Sequence, residues 1–304
     1  MNIKTILWLI ALIAAGVSHA ATTYNLANGN VTVPANTTAI ITQSNNKTTP
    51  TSNSITINDG AIVTLQGINI QCPKSPIACM GNATIIISDG SSNTVDQTVG
   101  NTRQYAAIYA GPPGSTLTIK GESAGTGKLI ALSNYGAAIG AHATYQTEYP
   151  SADCGNIVIQ GGIIYAKATG TGGSGSGIGA AWEYKSGDIT ITGGDVYASS
   201  SMMCGIGGEG GNITITGGKV TAIGATYGTA GSAGIGSSYW HGSVGDISIS
   251  GGIVRATAGG KAAAIGTGQT FSTDIYRPCG NINITGGDVV ATAVSNGVAA
   301  IGAG

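Results

Sequence analysis

The string GDITITGG at 187–194 is written again as GNITITGG at 211–218, GDISISGG at 245–252 and GNINITGG at 280–287, with a looser copy, GNIVIQGG, at 155–162. Each copy opens a unit of the form G-[N/D]-I-x-I-x-G-G-x-[I/V]-x-A, then a variable stretch, then G-I-G or A-I-G. Self-similarity on this scale is the mark of a solenoid, in which each repeat buries its apolar side only by stacking on its neighbours. Within I-x-I-x the period is two, so Ile189 and Ile191 face inward and Thr190 and Thr192 outward. After the Gly-Gly corner Val196 and Ala198 point inward again, and Ile206 supplies a third short segment. Three short strands per coil predict an all-β, right-handed parallel β-helix. Ile157, Ile189, Ile213, Ile247 and Ile282 then stack as one inner column about 4.8 Å per coil. A helical reading fails, because β-branched residues broken by Gly-Gly are poor helix formers.

The Asn/Asp that opens each unit (Asn156, Asp188, Asn212, Asp246, Asn281) stacks in the same way. Two readings exist. One is a turn ladder in which the side chains satisfy backbone groups. The other is a carboxylate pair, Asp188 with Asp246, two coils and roughly 9–10 Å apart, near the spacing of inverting glycosidases. Free alternation of Asn with Asp favours the ladder.

Residues 1–20, MNIKTILWLIALIAAGVSHA, have Lys4, a short apolar run, and Ser18 and Ala20 in small-x-small spacing. They read as a signal peptide, which places the mature chain outside the cytoplasm. No later stretch is apolar enough to span a membrane. Residues 21–113 read as a cap and irregular coils, and 114–304 as regular coils of the same continuous domain. Charged residues are only 8% and the net charge is −1, so no basic field exists to hold nucleic acid. Cys72 and Cys79 flank PKSPIA and are candidates for a loop-closing disulfide. Cys154, Cys204 and Cys279 read as packing residues. The final AAIGAG has no evident cap, which leaves end-to-end self-association open.

The stretches AIVTLQGINI, ATIIISDGSSNTV, YAAIYAGPPGSTLTIKG and KLIALSNYGAAIGA, with the later CGNINITGG units, resemble secreted carbohydrate-binding β-helix proteins of polysaccharide-degrading bacteria. The resemblance covers most of residues 54–304. It implies export, a parallel β-helix and a polysaccharide or surface-glycan ligand. Some such proteins carry calcium. Here ISDG keeps Asp89, but an acidic element is replaced by GPPGSTL, so no metal ligand set is legible and no other cofactor is expected.

Three surfaces compete for function. Aromatic residues gather in the segments after the third strand: Tyr145, Tyr149, Trp182, Tyr184, Tyr239, Trp240 and Tyr276, with His241 among them. Projected from one edge they would form a column suited to stacking on sugars, as in an adhesin; loops that fold back would bury them instead. A second surface is the grid of Thr190, Thr192, Thr214, Thr216, Ser248 and Ser250, whose regularity suits ordered water or ice. A third possibility is a lyase or hydrolase, which needs clustered acids or a metal with a positioned base. The thirteen acids are scattered. The expectation is a non-catalytic glycan binder, with a structural or self-assembling role as the nearest alternative.

Overall fold

The computed structural model describes residues 20–44, 48–100, 105–144, 146–170, 175–227, 230–239, 243–269 and 279–303. All but Ala20 of the expected leader lies outside this set. Among the described residues the chain winds into a three-sided parallel β-helix with two sheets of ten strands and one of eight. The first sheet begins at Thr22–Asn25 and ends at Ile282–Ile284; it takes the I-x-I segment of every repeat. The second runs from Val31–Val33 to Ile301–Gly302 and takes the G-I-G and A-I-G elements. The third runs from Asn69–Gln71 to Asp288–Thr292 and takes the segment after Gly-Gly.

The alternation of the sequence decides what each strand buries. In Ile189–Ile191 and Ile213–Ile215 both isoleucines are buried and the Thr between them is half-exposed. Register is kept from coil to coil. Ile157 pairs with Ile189, Ile189 with Ile213, Ile213 with Ile247 and Ile247 with Ile282. The expected inner column therefore exists. Val196, Ala198 and Ile206 complete the interior from the other two sides, all fully buried. Residues 21–113 join the same core: Ile108 pairs with both Ile77 and Ile139, so AIY at 107–109 occupies the place of A-I-G.

The Asn/Asp position is a ladder. Each Oδ1 accepts the backbone N–H of the equivalent residue one coil on: Asn156 from Asp188 at 2.9 Å, Asp188 from Asn212 at 2.7 Å, Asn212 from Asp246 at 2.8 Å, Asp246 from Asn281 at 2.7 Å. Both residue types carry this acceptor, which is why they interchange. The bonds engage Oδ1 of both Asp188 and Asp246, as the turn-ladder reading expects. The ladder extends into the irregular coils, where Asp59 accepts from Asn82 and Asn82 from Thr116.

Glycine is needed where coils touch. At Gly207, φ is +114° and a Cβ would lie 2.3 Å from the carbonyl oxygen of Gly236. Both the conformation and the space exclude a side chain. In the last described coil Ile284, Val290 and Ile301 are exposed, since their strands have a neighbour on one side only.

Ile213 has a copy of itself above and below, so truncation leaves a void that neither neighbour can fill. Ile213→Ala is expected to cost about 2–5 kcal/mol, against within about 0.5 kcal/mol for the outward Thr214→Ala. Urea unfolding of the two variants measures the difference.

Candidate functional site

The aromatic residues do not form one exposed column. Tyr149 and Tyr239 are buried, at 8% and 2% exposure. The loop after 140 folds back, and its rings pack against those of an earlier coil. His142 stacks on Tyr109 at 4.3 Å and 11°, and Tyr149 lies edge-on to Tyr109 at 5.4 Å and to Tyr105 at 5.9 Å. Such pairs are more favourable than rings left in water, so the loop closes on itself. Tyr239 buries with Met202, Met203 and Ala230 in a separate small cluster. Trp182 and Tyr184 are half-buried against the main core, on a tight turn in which the Tyr184 N–H donates to the Ala181 carbonyl at 2.7 Å. These two keep part of their surface in solvent. Tyr145, Trp240, His241 and Tyr276 lie outside the described residues.

The buried cluster has distinctive electrostatics. His142 is fully buried, its Nδ1 accepts the Ala106 N–H at 3.0 Å, and its Nε2 has no hydrogen-bond partner. Burial pushes its pKa down to about 3. At the rim the Tyr105 hydroxyl donates to Glu148 Oε1 at 2.8 Å, and Lys74 Nζ lies 3.1 Å from the same oxygen. The Tyr105 hydrogen bond comes first among the causes that hold the Glu148 carboxyl below its usual range.

Cys72 and Cys79 are separate free thiols, so the disulfide anticipated from their spacing is not formed. Cys79 faces the core from the second sheet and burial pushes its pKa up to about 12. Cys72 instead donates to the Lys74 carbonyl at 3.2 Å.

A strip without side chains, here called the trough, runs along the corner between the first and third sheets. Its floor is the Gly-Gly pair of every repeat, 161–162, 193–194, 217–218, 251–252 and 286–287. One wall carries the exposed residue before each pair: Gln160, Thr192, Thr216, Ser250 and Thr285. The other carries the exposed residue after it: Ile163, Asp195, Lys219, Ile253 and Asp288. The floor is bare because the coils touch there: a Cβ on Gly217 would lie 2.5 Å from the Thr192 carbonyl oxygen.

At one end the trough deepens into an open pocket of about 380 Å³ between the loop 121–125 and Gln160, Ile163 and Asp195. That loop is held from the preceding coil. Asp89 accepts the N–H groups of Ala124 at 2.8 Å and Thr126 at 3.0 Å, and the Ala124 bond is the main cause that lowers the Asp89 pKa. Glu122 in turn accepts the Asp89 N–H at 2.8 Å and the Ser88 hydroxyl at 3.1 Å. Asp195 pairs with Lys219 at 3.0 Å. The Gly-Gly corners were legible in five repeats, but only as bends; the pocket was not legible, because the loop 121–125 has no repeat signature.

The Thr/Ser grid is real and longer than its three regular repeats. Pairing places Thr38, Ile62, Thr84, Thr118, Val158, Thr190, Thr214 and Ser248 in one outward column of the first sheet, without a break. Thr192, Thr216 and Ser250 stand two residues on, beside the trough. On the third sheet Tyr165 and Tyr197 stack face to face at 4.6 Å and 4°. Each ring covers one face of the other.

Among the described residues no group of three or more His, Cys, Asp or Glu side chains is placed to hold a metal ion, and no helix is long and apolar enough to cross a membrane. No known family model, curated protein or solved structure matches the chain.

The buried imidazole gives a pH signature. His142 stays neutral in the fold while an unfolded histidine takes up a proton below its ordinary value of 6.5. The unfolded state therefore binds more protons, and stability falls as pH drops from 6.5 towards 3, by up to about 1.4 kcal/mol per unit. In His142→Gln that slope is expected to disappear between 6.5 and 4.5, above the ordinary carboxylate range. Denaturant unfolding across this window measures it.

Proposed function

We propose that the protein is an exported, non-catalytic binder of linear polysaccharide, including a surface glycan in the manner of an adhesin, and that the polymer lies along the Gly-Gly trough. The observation that carries this reading is the repetition of one polar module per coil. Hydroxyl and amide groups of Gln160, Thr192, Thr216 and Ser250 line one wall at about 4.8 Å intervals beside a floor of bare backbone. An extended β-linked polysaccharide advances by a comparable distance per sugar, so each coil meets an equivalent part of the chain. Glycine lets the polymer approach the backbone closely. Glu122 and Asp195 add charged groups at the pocket end, with Lys219 paired to Asp195 one coil on, and a chain terminus or a branch is accommodated there.

The resemblance to secreted carbohydrate-binding β-helix proteins supports the same ligand class and the extracellular setting. Trp182, half-buried on the turn between the second and first sheets, is a second candidate contact away from the trough. The acids at the pocket support binding rather than turnover. Glu122 is tied to Ser88 and Asp89, and Asp195 to Lys219, which leaves neither poised for general acid–base work.

Affinity electrophoresis through gels containing neutral or acidic plant and bacterial polysaccharides tests this. The mature protein is expected to be retarded by at least one polymer, with at least tenfold weaker binding in the triple variant Gln160→Ala, Thr192→Ala, Thr216→Ala at unchanged circular dichroism. Binding that survives the triple variant but is lost in Trp182→Ala moves the site to the aromatic turn. Passage through every gel without retardation ends the polysaccharide reading.

A further inference from the structure

We infer that the outer face of the first sheet is an ice-binding surface, centred on the column that runs beside the trough wall. Strand pairing sets the same outward position over itself in every coil from Thr38 to Ser248, with no bulge to break the column. That column holds no charged residue and is made of hydroxyl-bearing and branched aliphatic side chains. Ile62 is 37% exposed there, and Val158 is half-exposed. These two stand between the threonines and keep the face methyl-rich.

The second observation concerns the hydroxyls. Those of Thr64, Thr84, Thr118, Thr190, Thr214 and Ser248 make no hydrogen bond to any described residue. Each is left to water. The flanking acids Asp188 and Asp246, by contrast, have accepting oxygens engaged by the backbone of the next coil.

The chemistry selects the ligand. Methyl groups restrict the orientations of first-shell water, and adjacent hydroxyls fix some of those waters by hydrogen bonds. On this sheet the groups repeat about every 4.8 Å along the column and about 6.6 Å across it. Both spacings are close to oxygen repeats on the prism face of hexagonal ice. Thr216 and Ser250 supply the second column in the coils nearest the C-terminal end. Lys120 is the one described charge in that second column, so the match is best over Thr190, Thr214 and Ser248. The central column, without charge or large polar side chains, fits an uncharged lattice of this repeat better than a flexible polymer.

The mature protein, frozen slowly onto a seeded ice hemisphere, is expected to be enriched several-fold in the ice fraction and to shape single crystals. Thr190→Tyr and Thr214→Tyr, which lift the lattice off the face, are expected to abolish both at unchanged unfolding midpoint. Thr221→Tyr on the outer face of the third sheet is the control and is expected to retain them. Exclusion of the wild-type protein from ice overturns the inference, as does full retention in Thr214→Tyr or equal loss in Thr221→Tyr. Sedimentation with crystalline cellulose or chitin that is lost in Thr214→Tyr, without ice enrichment of the wild type, also overturns it and assigns the face to a solid polysaccharide. Asp195→Ala, on the third-sheet wall of the trough and off this face, is expected to leave ice enrichment unchanged, so the two sites fail or stand separately.

Discussion

Everything in this molecule depends on parallel pairing of each coil with the next in constant register. Backbone hydrogen bonds between equivalent residues, such as those joining Ile189 to Ile213 and Ile213 to Ile247, put every side chain directly over a copy of its own position. One residue of slip would turn the buried isoleucines outward and the threonines inward. Register is thus enforced on all three sides by the cost of exposing the core. The interior is narrow, and a column of one residue size fills it without voids.

The same pairing explains features that are not apolar. An Asn or Asp at the first corner is over another Asn or Asp, so its Oδ1 reaches the next backbone N–H. Exposed ladder bonds of this kind contribute modestly one by one, but they orient the first corner at every coil. At the second corner the distance between coils leaves no room for a Cβ on Gly193, Gly217 or Gly251. The glycine floor of the trough is therefore a by-product of stacking before it is a binding surface. Outward columns are free of these demands, and there the chain varies: Asp195, Lys219 and Arg255 are found on the third sheet, and Arg255 finds its acid, Asp288, one coil away at 2.6 Å.

Aromatic side chains follow a different rule. They sit in segments of variable length, where no stacked copy dictates their place. A loop of a dozen residues can bend back, and Tyr149 and His142 then exchange water for the rings of Tyr105 and Tyr109. The outcome is a buried, charge-free plug with the Tyr105–Glu148–Lys74 group at its rim. Projection from equivalent positions in the repeat is not sufficient evidence for exposure, because the loops bury what the coils do not need.

By itself the sequence determined the wound, three-sided architecture, the inner isoleucine column and the Asn/Asp ladder. Each follows from period-two alternation repeated with a fixed residue at a fixed place, and such periodicity is local information. It also marked the Gly-Gly corners, though not that they form the floor of a trough. Only the tertiary structure decided that Thr38, Thr84 and Thr118 share a column with Thr190 and Thr214, because the irregular early coils carry no repeat from which register can be counted. It also decided that Tyr149, Tyr239 and His142 are interior, that Cys72 and Cys79 stay apart, and that Asp89 pins the loop at 121–125. Those outcomes rest on contacts between residues distant in the chain, where loop length and the balance of burial against hydration settle what no spacing in the sequence encodes.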